Sequence, residues 1–384
     1  MQLFAVCAPG LEQVLLAEVQ ALGCKGRAAA GGVEVDGTLR DVQRLNLWLR
    51  TASRVLVRLG TVKATAFPEL VRKATELPWE KFAVPGKAAQ IRVTCRKSRL
   101  YHSGAVAERL HAAMEARLKG RVALQTADDD DHEGPQLFVA RFEHDLCTVS
   151  ADSSGALLHQ RGYRGPQAKA PLRETLAAAL LLAARYDGSE PLCDPLCGSG
   201  TIAIEAALIA LRRAPGLHRE FAFQEWPGFD VRPFQDLRDA GLRPSDEGLG
   251  PRTSGPLEGD AGLRPQASGL GQIEASDHDA GAVAATRENA VRAGVTIEIA
   301  QRQLAQLPPA DGVGLIACNP PYGLRVGGDV RQIFRELGDA ARRRPGWRVA
   351  AVVADERAAD ASGLRWTRLL RTQTGGIPIQ FLAT

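Results

Sequence analysis

The stretch CDPLCGSGTIAIEAA, residues 193–207, decides the fold of this chain. A short apolar run ends at Asp194, and two glycines then flank Ser199 before a run of helix-forming residues begins. Glycine tolerates tight turns and lets the backbone approach a ligand closely. Open α/β sheets bind ligands at the carboxyl ends of their strands. We therefore predict a strand, a ligand-binding turn and a helix at this position.

Strand and helix patterns alternate on the carboxyl side of this stretch. The segments QIEASD, VTIEIAQ, VGLIACNPPY and WRVAAVVA are strand-like, and helical spacing lies between most of them. Such alternation indicates βαβ units and a doubly wound parallel sheet, so the predicted fold class is α/β with a Rossmann-like sheet. The final residues, TRLLRTQTGGIPIQFLAT, are predicted to form a two-stranded hairpin.

The amino-terminal side has a different organisation. Residues 1–60 and 61–155 each have the pattern of a small α+β unit, and a segment rich in Gly, Pro and basic residues follows them. We therefore predict three parts, at residues 1–60, 61–155 and 156–384. Residues 230–270 contain the near-duplicates DAGLRPSDEGL and DAGLRPQASGL. They interrupt the alternation and are predicted to be a surface loop.

Composition predicts a protein that is neither exported nor embedded in a membrane. The sequence has no apolar run of about 18 residues, and its start lacks the basic and apolar regions of a signal peptide. The seven cysteines are scattered along the chain, which favours reduced thiols and a cytoplasmic location.

The positive charge lies in the amino-terminal half. Residues 1–150 contain 21 Lys and Arg against 17 Asp and Glu, a net charge of +4, which equals the net charge of the whole chain. A basic surface in this half would suit nucleic-acid binding. So small an excess is equally compatible with chance.

Three nucleotide ligands can be compared at the glycine turn. A phosphate-binding P-loop requires a lysine that this stretch lacks. The dinucleotide fingerprint expects a glycine where Ala203 stands, which makes a weaker match. Asp194 can pair with a cationic amine, and this favours S-adenosylmethionine, a zwitterion without phosphates. Because no cluster of His or Cys stands near Cys193 and Cys197, we predict no metal site.

An acidic residue ends the next predicted strand in the stretch IEASDHD, residues 273–279. Asp277 is positioned to bind the ribose hydroxyls of an adenosine group. Asp279 fits a helix N-cap at least as well.

The tetrapeptide NPPY, Asn319–Tyr322, ends a later strand. Exocyclic amines of bases are poor nucleophiles because their lone pair is delocalised into the ring. The side-chain oxygen of Asn319 and the carbonyl of Pro320 can accept hydrogen bonds from such an amine, and Tyr322 can stack on an extruded base. The pattern predicts methyl transfer to an exocyclic amine, achieved mostly by positioning. It does not distinguish guanine from adenine.

Taken together, these segments resemble the class I S-adenosylmethionine-dependent RNA methyltransferases that carry an amino-terminal THUMP domain. The resemblance is strongest to the branch of ribosomal RNA large-subunit guanine-N2 methyltransferases, which is related to proteins named N6-adenine-specific methylases. It rests on LLHQRGYR, APLRETLAAAL, DPLCGSGTIAIEAALIA, RENAVRAG and NPPYGLR, together with APGLE, GGVEVDG and RVTCRKSRLYHSGAVAERL in the amino-terminal half. It implies a ferredoxin-like unit, an RNA-binding THUMP module and a Rossmann-like methyltransferase domain.

The resemblance also implies roles for residues at matching positions. The cofactor would be contacted by Thr175, Asp194, Pro195, Cys197, Gly198, Ser199, Gly200, Asp277, His278 and Gln303. The target amine would be held by Asn319, Pro320, Pro321 and Tyr322, and RNA phosphates would be bound by Arg92, Arg96, Lys97 and Arg99. Gln303 stands where the family often has an acidic residue, and His278 stands in place of a small apolar residue.

The main hypothesis is therefore an enzyme that methylates the N2 amine of a guanine in 23S ribosomal RNA. Transfer to guanine N2 in tRNA or to adenine N6 would use the same site residues. An RNA-binding protein with an inactive methyltransferase domain is an alternative of a different class. A nicotinamide-dependent oxidoreductase would require a catalytic residue that the sequence does not show.

Overall fold

The computed structural model describes residues 1–84, 86–119, 136–165, 172–242, 273–321 and 330–384. Its strands form two seven-stranded sheets, which we call the first sheet and the second sheet. The first sheet contains β1 Gln2–Cys7, β2 Gly26–Ala29, β3 Gly32–Asp36, β4 Ala52–Lys63, β5 Ala89–Arg96, β6 Gln136–Glu143 and β7 Leu146–Asp152.

Four helices pack their apolar side chains against the first sheet and share one hydrophobic core with it. They are α1 Glu12–Ala21, α2 Leu39–Trp48, α3 Phe67–Thr75 and α4 Ser103–Leu118. Local sequence sets the start of α2, because Thr38 and Asp41 bond reciprocally to each other's backbone N–H as a capping box. No helix of the described residues is long and apolar enough to cross a membrane.

The first sheet is continuous across residue 60. Its strand order is β2-β3-β1-β4-β7-β6-β5, and the long strand β4 pairs with β1 on one side and with β7 on the other. The boundary predicted at residue 60 thus lies within a strand, and the strands of both predicted units form one sheet.

The second sheet has the order β10-β9-β8-β11-β12-β14-β13. The chain leaves the central strand β8 in one direction and later returns to its other side, which creates a switch point beside β8. The strands β8 to β12 are parallel to one another. The last two strands form the predicted antiparallel hairpin, and β14 also pairs antiparallel with β12. The α/β fold class is therefore confirmed. The strands are β8 Leu192–Asp194, β9 Ile273–Asp277, β10 Glu298–Gln301, β11 Gly314–Cys318, β12 Trp347–Val353, β13 Thr367–Thr374 and β14 Ile377–Ala383.

The helices of this half include one that contradicts the sequence prediction. They are α5 Glu174–Ala183, α6 Thr201–Ala210, α7 Val231–Leu242, α8 Ala280–Ala293, α9 Val330–Arg342 and α10 Glu356–Ala359. The loop prediction for residues 230–270 is wrong over α7, because Phe234 and Leu237 are one helical turn apart and both are buried. Pro233 lies in the first turn, where it interrupts no helical hydrogen bond. The remainder, residues 243–270, lies outside the described residues.

A buried charge cluster joins the two halves of the molecule. Glu205 of α6 is fully buried, with its carboxylate oxygens 3.6 Å from Arg50 Nη1 and 3.2 Å from Arg161 Nε. Arg161 also donates to the carbonyl of Arg50, and Arg50 donates to the carbonyls of Leu208 and Arg213. We call Arg50, Arg161 and Glu205 the junction cluster. It fixes the end of α2 against α6.

The first loop of the chain meets the last hairpin at a glycine. Gly10, between β1 and α1, has a φ of +89°, and a Cβ atom there would overlap the backbone carbonyl oxygen of Arg371 in β13. Glycine alone combines this conformation with so close an approach.

We expect Glu205→Ala to destabilise the protein strongly, because two buried guanidinium groups would lose their shared carboxylate. Loss of one partner of a buried ion pair typically costs about 3–5 kcal/mol. Urea denaturation measures this cost as a lower free energy of unfolding. Glu76→Ala is the matched control, since Glu76 pairs with Arg72 at the surface, where removal should change stability little. Equal effects of the two substitutions would contradict the role of the junction cluster.

Candidate active site at the carboxyl edge of the second sheet

Asp194 ends β8 and is almost completely buried, with 1% of its surface exposed. Its Oδ1 accepts a hydrogen bond from the backbone N–H of Leu196 at 3.3 Å. Burial, assisted by the nearby charge of Asp277, raises the pKa of Asp194 to about 8. No cationic side chain of the described residues is bonded to it. A bound cation would therefore stabilise its charged form.

The glycine turn that follows β8 is tied to the end of β9. The N–H of Gly198 donates to Asp277 Oδ2 at 3.0 Å, and the N–H of Cys197 donates to the carbonyl of Ser276 at 3.0 Å. Gly200 has a φ of +83°, and a Cβ there would lie 2.7 Å from the side chain of Thr286. These bonds bring together the two segments that the sequence predicted as cofactor-binding.

Two residues of α8 hold the other side of this turn. The hydroxyl of Thr286 donates to the carbonyl of Gly198 at 2.8 Å, and Asn289 Nδ2 donates to the carbonyl of Ser199 at 3.0 Å. Asn289 Oδ1 also accepts from the N–H of Gly165 at 3.3 Å. Sequence reasoning assigned no role to either residue. Their spacing of three places them on one helix face, and this was the available signal.

The acidic residues after β9 have separate contacts. Asp277 Oδ1 accepts from the N–H of Asp279 at 3.0 Å and lies 3.1 Å from Nδ1 of the exposed His278. Asp279 accepts from the N–H of Ala282 at 2.9 Å. Asp279 is therefore the N-cap of α8, the alternative raised from sequence.

The end of β10 lies beside Asp277. The N–H of Arg302 donates to the Asp277 carbonyl at 2.8 Å, and Gln301 Nε2 donates to the carbonyl of His278 at 3.1 Å. Gln303 follows as an exposed residue at the same sheet edge. The sequence prediction named Gln303 and omitted Gln301. It is the side chain of Gln301 that bonds to the segment after β9, through the His278 carbonyl.

The start of α5 is connected to the start of α6. Arg164 pairs with Glu174 at 2.9 Å and donates to the hydroxyl of Thr201 at 2.8 Å. Thr175 comes next to Glu174 and is buried. The structure thus places Thr175 near the helix that begins after the glycine turn.

The segment Asn319–Pro321 follows β11, the parallel neighbour of β8. Asn319 Oδ1 is buried and accepts no hydrogen bond within the described residues. Pro320 is buried, and Pro321 is partly exposed. An orphaned acceptor of this kind is costly unless a ligand supplies a donor. Tyr322 lies outside the described residues.

The cofactor-turn residues also include an orphaned hydroxyl. Ser199 Oγ is buried without a hydrogen-bond partner in the described part of the chain. Pro195 and Cys197, which precede Ser199 in the turn, are also buried, and every described cysteine is a free thiol. No group of three metal-ligating side chains occurs among the described residues. The edge therefore has the donors and acceptors for an organic ligand.

The predicted RNA-phosphate ligands lie on the first sheet, not at this edge of the second sheet. Arg92 and Arg96 are on β5, and Lys97 and Arg99 are in the turn after it, where the Arg99 N–H donates to Asp145 at 2.8 Å. Arg92 is partly buried, whereas the other three basic residues are exposed. These three lie at the end of the first sheet opposite the junction cluster. The 12 residues of β4 run between the two ends, about 40 Å at the rise of an extended strand.

A switch-point sheet with a glycine turn and acidic strand ends fits a class I methyltransferase fold, and similarity to known proteins identifies the chain as an S-adenosylmethionine-dependent methyltransferase. Residues 161–379 match the model of the RMKL-like methyltransferase domain (UPF0020), and residues 2–56 match that of the RlmL ferredoxin-like domain. The chain belongs to the RMKL-like methyltransferase family.

Proteins similar to this chain match it over nearly its whole length. A Synechocystis protein named "Putative RNA methyltransferase slr0064" is 33% identical over 387 residues, which cover 99% of this chain and 95% of that protein. The crystal structure of a protein from Listeria monocytogenes, named a predicted N6-adenine-specific DNA methylase, has a TM-score of 0.84 at 32% identity and covers 99% of this chain and 95% of its own. The crystal structure named "SMU.472, a putative methyltransferase complexed with SAH" has a TM-score of 0.83 at 26% identity and covers 100% of this chain and 97% of its own.

We expect Asp194→Asn to stabilise the free protein increasingly as pH rises. The raised pKa means that the native state keeps a proton that the unfolded chain has lost, so wild-type stability from this group falls between about pH 4 and pH 8. An amide needs no such proton. Thermal melts across this range should show a widening gap in Tm in favour of the variant. The exposed Asp311, changed to Asn, is the control. A gap that narrows with rising pH would contradict the assignment.

Proposed function

We propose that the protein transfers a methyl group from S-adenosylmethionine to the exocyclic N2 amine of a guanine in RNA, with 23S ribosomal RNA as the substrate. The observation that carries the proposal is the buried, unbonded Oδ1 of Asn319 at the end of the strand next to β8. It is an acceptor placed where a donor from a substrate would complete its hydrogen bonding.

We assign the cofactor to the edge formed by the ends of β8, β9 and β10. The carboxylate of Asp194 would receive the cationic amine of the methionine group, which explains why a carboxyl group is kept in so buried a position. Asp277 would accept from the ribose hydroxyls, and the exposed Gln303 would lie toward the adenine. The glycine turn, held by Thr286 and Asn289, would let the backbone approach the ligand. The bound cofactor supplies an electrophilic methyl group.

The target amine would be held by acceptors on the neighbouring strand end. Hydrogen bonds from the amine to Asn319 Oδ1 and to the Pro320 carbonyl would favour a more tetrahedral nitrogen whose lone pair points at the methyl group. The two prolines contribute no N–H that could compete for these acceptors. Catalysis of this kind depends chiefly on alignment of the reacting atoms.

RNA as the substrate is supported by the name of the Synechocystis protein and by the basic end of the first sheet. The exposed Arg96, Lys97 and Arg99 can neutralise phosphates without reading a sequence. We propose that residues 61–155 act as the THUMP module and that an RNA would span the distance from these residues to Asn319. The resemblance to the ribosomal guanine-N2 branch supports 23S RNA over tRNA.

Asn319→Ala tests the target-amine site. We expect S-adenosylmethionine to bind with unchanged affinity in titration calorimetry, because Asn319 lies on the strand end assigned to the substrate. Methyl transfer to a 23S RNA transcript should fall by about a hundred- to a thousand-fold, since loss of one preorganised polar group at a reacting centre typically costs about 10²–10³ in rate.

The control for this experiment is Gln301→Ala, which alters the opposite side of the sheet edge. It should weaken cofactor binding and leave the product unchanged. Equal loss of cofactor binding and of methyl transfer in Asn319→Ala would instead make Asn319 a structural residue. Mass spectrometry of the nucleosides identifies the product, and N6-methyladenosine as the sole product would refute the guanine assignment.

The basic end of the first sheet can be tested by replacing Arg96, Lys97 and Arg99 together with Gln. Each lost phosphate contact should reduce the slope of log affinity against log salt by about one. We expect weaker binding of 23S RNA in filter or anisotropy assays, with normal cofactor affinity. The matched control replaces Arg72, an exposed residue of α3, with Gln. An unchanged salt slope in the triple variant would contradict an RNA contact at this end.

A further inference from the structure

A cavity of about 240 Å³ opens beside Pro320 and Pro321, the two residues that follow Asn319. Pro320 and Pro321 form one wall, Phe334 of α9 contributes another, and Ala354 and Asp355 follow the end of β12. The lining is otherwise apolar, and Asp355 is the one charged side chain among the described lining residues. A space of this size with one polar group suits a flat, mostly apolar-faced ligand such as a nucleobase.

The sheet explains why Asp355 lies near the target-amine segment. β11 and β12 are parallel neighbours, with Cys318 paired to Ala351. The residues that follow these strands therefore leave the sheet at the same edge, with strands about 4.8 Å apart. Asn319 is the first residue after β11, and Asp355 is the second residue after β12.

One of the two carboxylate oxygens of Asp355 already accepts a hydrogen bond within the protein. Its Oδ1 accepts from the N–H of Arg357 at 3.0 Å, which makes Asp355 the N-cap of α10. Its Oδ2 accepts no hydrogen bond from the described residues. The residue is exposed, so this second oxygen can reach a ligand in the cavity.

Guanine and adenine differ at the ring atom next to the exocyclic amine. In guanine, N1 carries a proton and donates beside the N2 amine. In adenine, N1 carries a lone pair and accepts beside the N6 amine. A carboxylate oxygen at this position therefore accepts from guanine and opposes adenine, and a site built around such a bond rejects the wrong base strongly.

We propose that Asp355 is a specificity-determining residue, whose Oδ2 accepts the N1–H of a guanine while Asn319 and Pro320 hold its N2 amine. This inference rests on the proposed function. Asp355 would supply the discrimination between guanine and adenine that the Asn319–Pro321 segment lacks, because Asn319 Oδ1 and the Pro320 carbonyl can accept from the amine of either base.

Asp355→Asn separates recognition from capping. Asparagine is as good an N-cap as aspartate, so α10 and the Tm should be unchanged. The Asn amide can keep its oxygen on the Arg357 N–H and present an NH2 donor to the cavity. With a 23S RNA transcript, we expect kcat/KM for N2-methylguanosine formation to fall about a hundred-fold. The ratio of N6-methyladenosine to N2-methylguanosine should rise, because an NH2 group suits adenine N1.

Glu356→Gln is the matched control. Glu356 is the adjacent exposed carboxylate, pairs with Arg368 at 3.3 Å and does not line the cavity, so both products should stay at wild-type levels. Wild-type guanine methylation by Asp355→Asn, or an equal fall in both variants, would overturn the inference. A wild-type enzyme that forms no N2-methylguanosine would instead overturn the proposed function. S-adenosylmethionine affinity, measured by calorimetry, should be equal in all three proteins.

Discussion

The shared contact of Glu205 with Arg50 and Arg161 is the interaction on which the rest of the structure depends. All three charges are buried, and the two guanidinium groups repel each other, so both depend on the shared carboxylate of Glu205 to offset the cost of burial. Glu205 lies about one turn after the glycine turn that starts α6, and Arg50 follows the last turn of α2. The same group of atoms therefore sets the position of the first sheet and braces the helix that begins at the cofactor-binding edge.

The strand order of the second sheet forms the site, because it brings a few polar residues from separate strand ends to one edge. Parallel strands end at one edge, and the return of the chain to β11 beside β8 places Asn319 on the strand next to the acidic end of β8, with the acidic end of β9 one strand further. The edge then contains one buried carboxyl with a raised pKa, one hydroxyl and one amide oxygen without partners in the described residues. These groups lower the stability of the free protein, and they are the groups that a zwitterionic cofactor and a base amine would satisfy.

Sequence alone predicted the elements whose signals are local. The glycine turn, the strand ends at Asp194 and Asp277, the Asn319 segment and the final hairpin all follow from patterns within a few residues. The continuity of the first sheet through β4 was not predictable, because strand pairing depends on partners far apart in sequence. The helix α7 was missed because its Gly and Pro content hid the spacing of Phe234 and Leu237. Thr286 and Asn289 were missed because their function depends on which helix face meets the turn.

Gly10 has a consequence for how such a protein can change during evolution. Its loop fits against the backbone of β13, near the other end of the chain, with no space for a side chain. A first sheet taken from one protein and joined to the methyltransferase half of another would need this loop and this hairpin to match. Such a combination must therefore keep a glycine in this loop and the backbone of the hairpin at the same spacing.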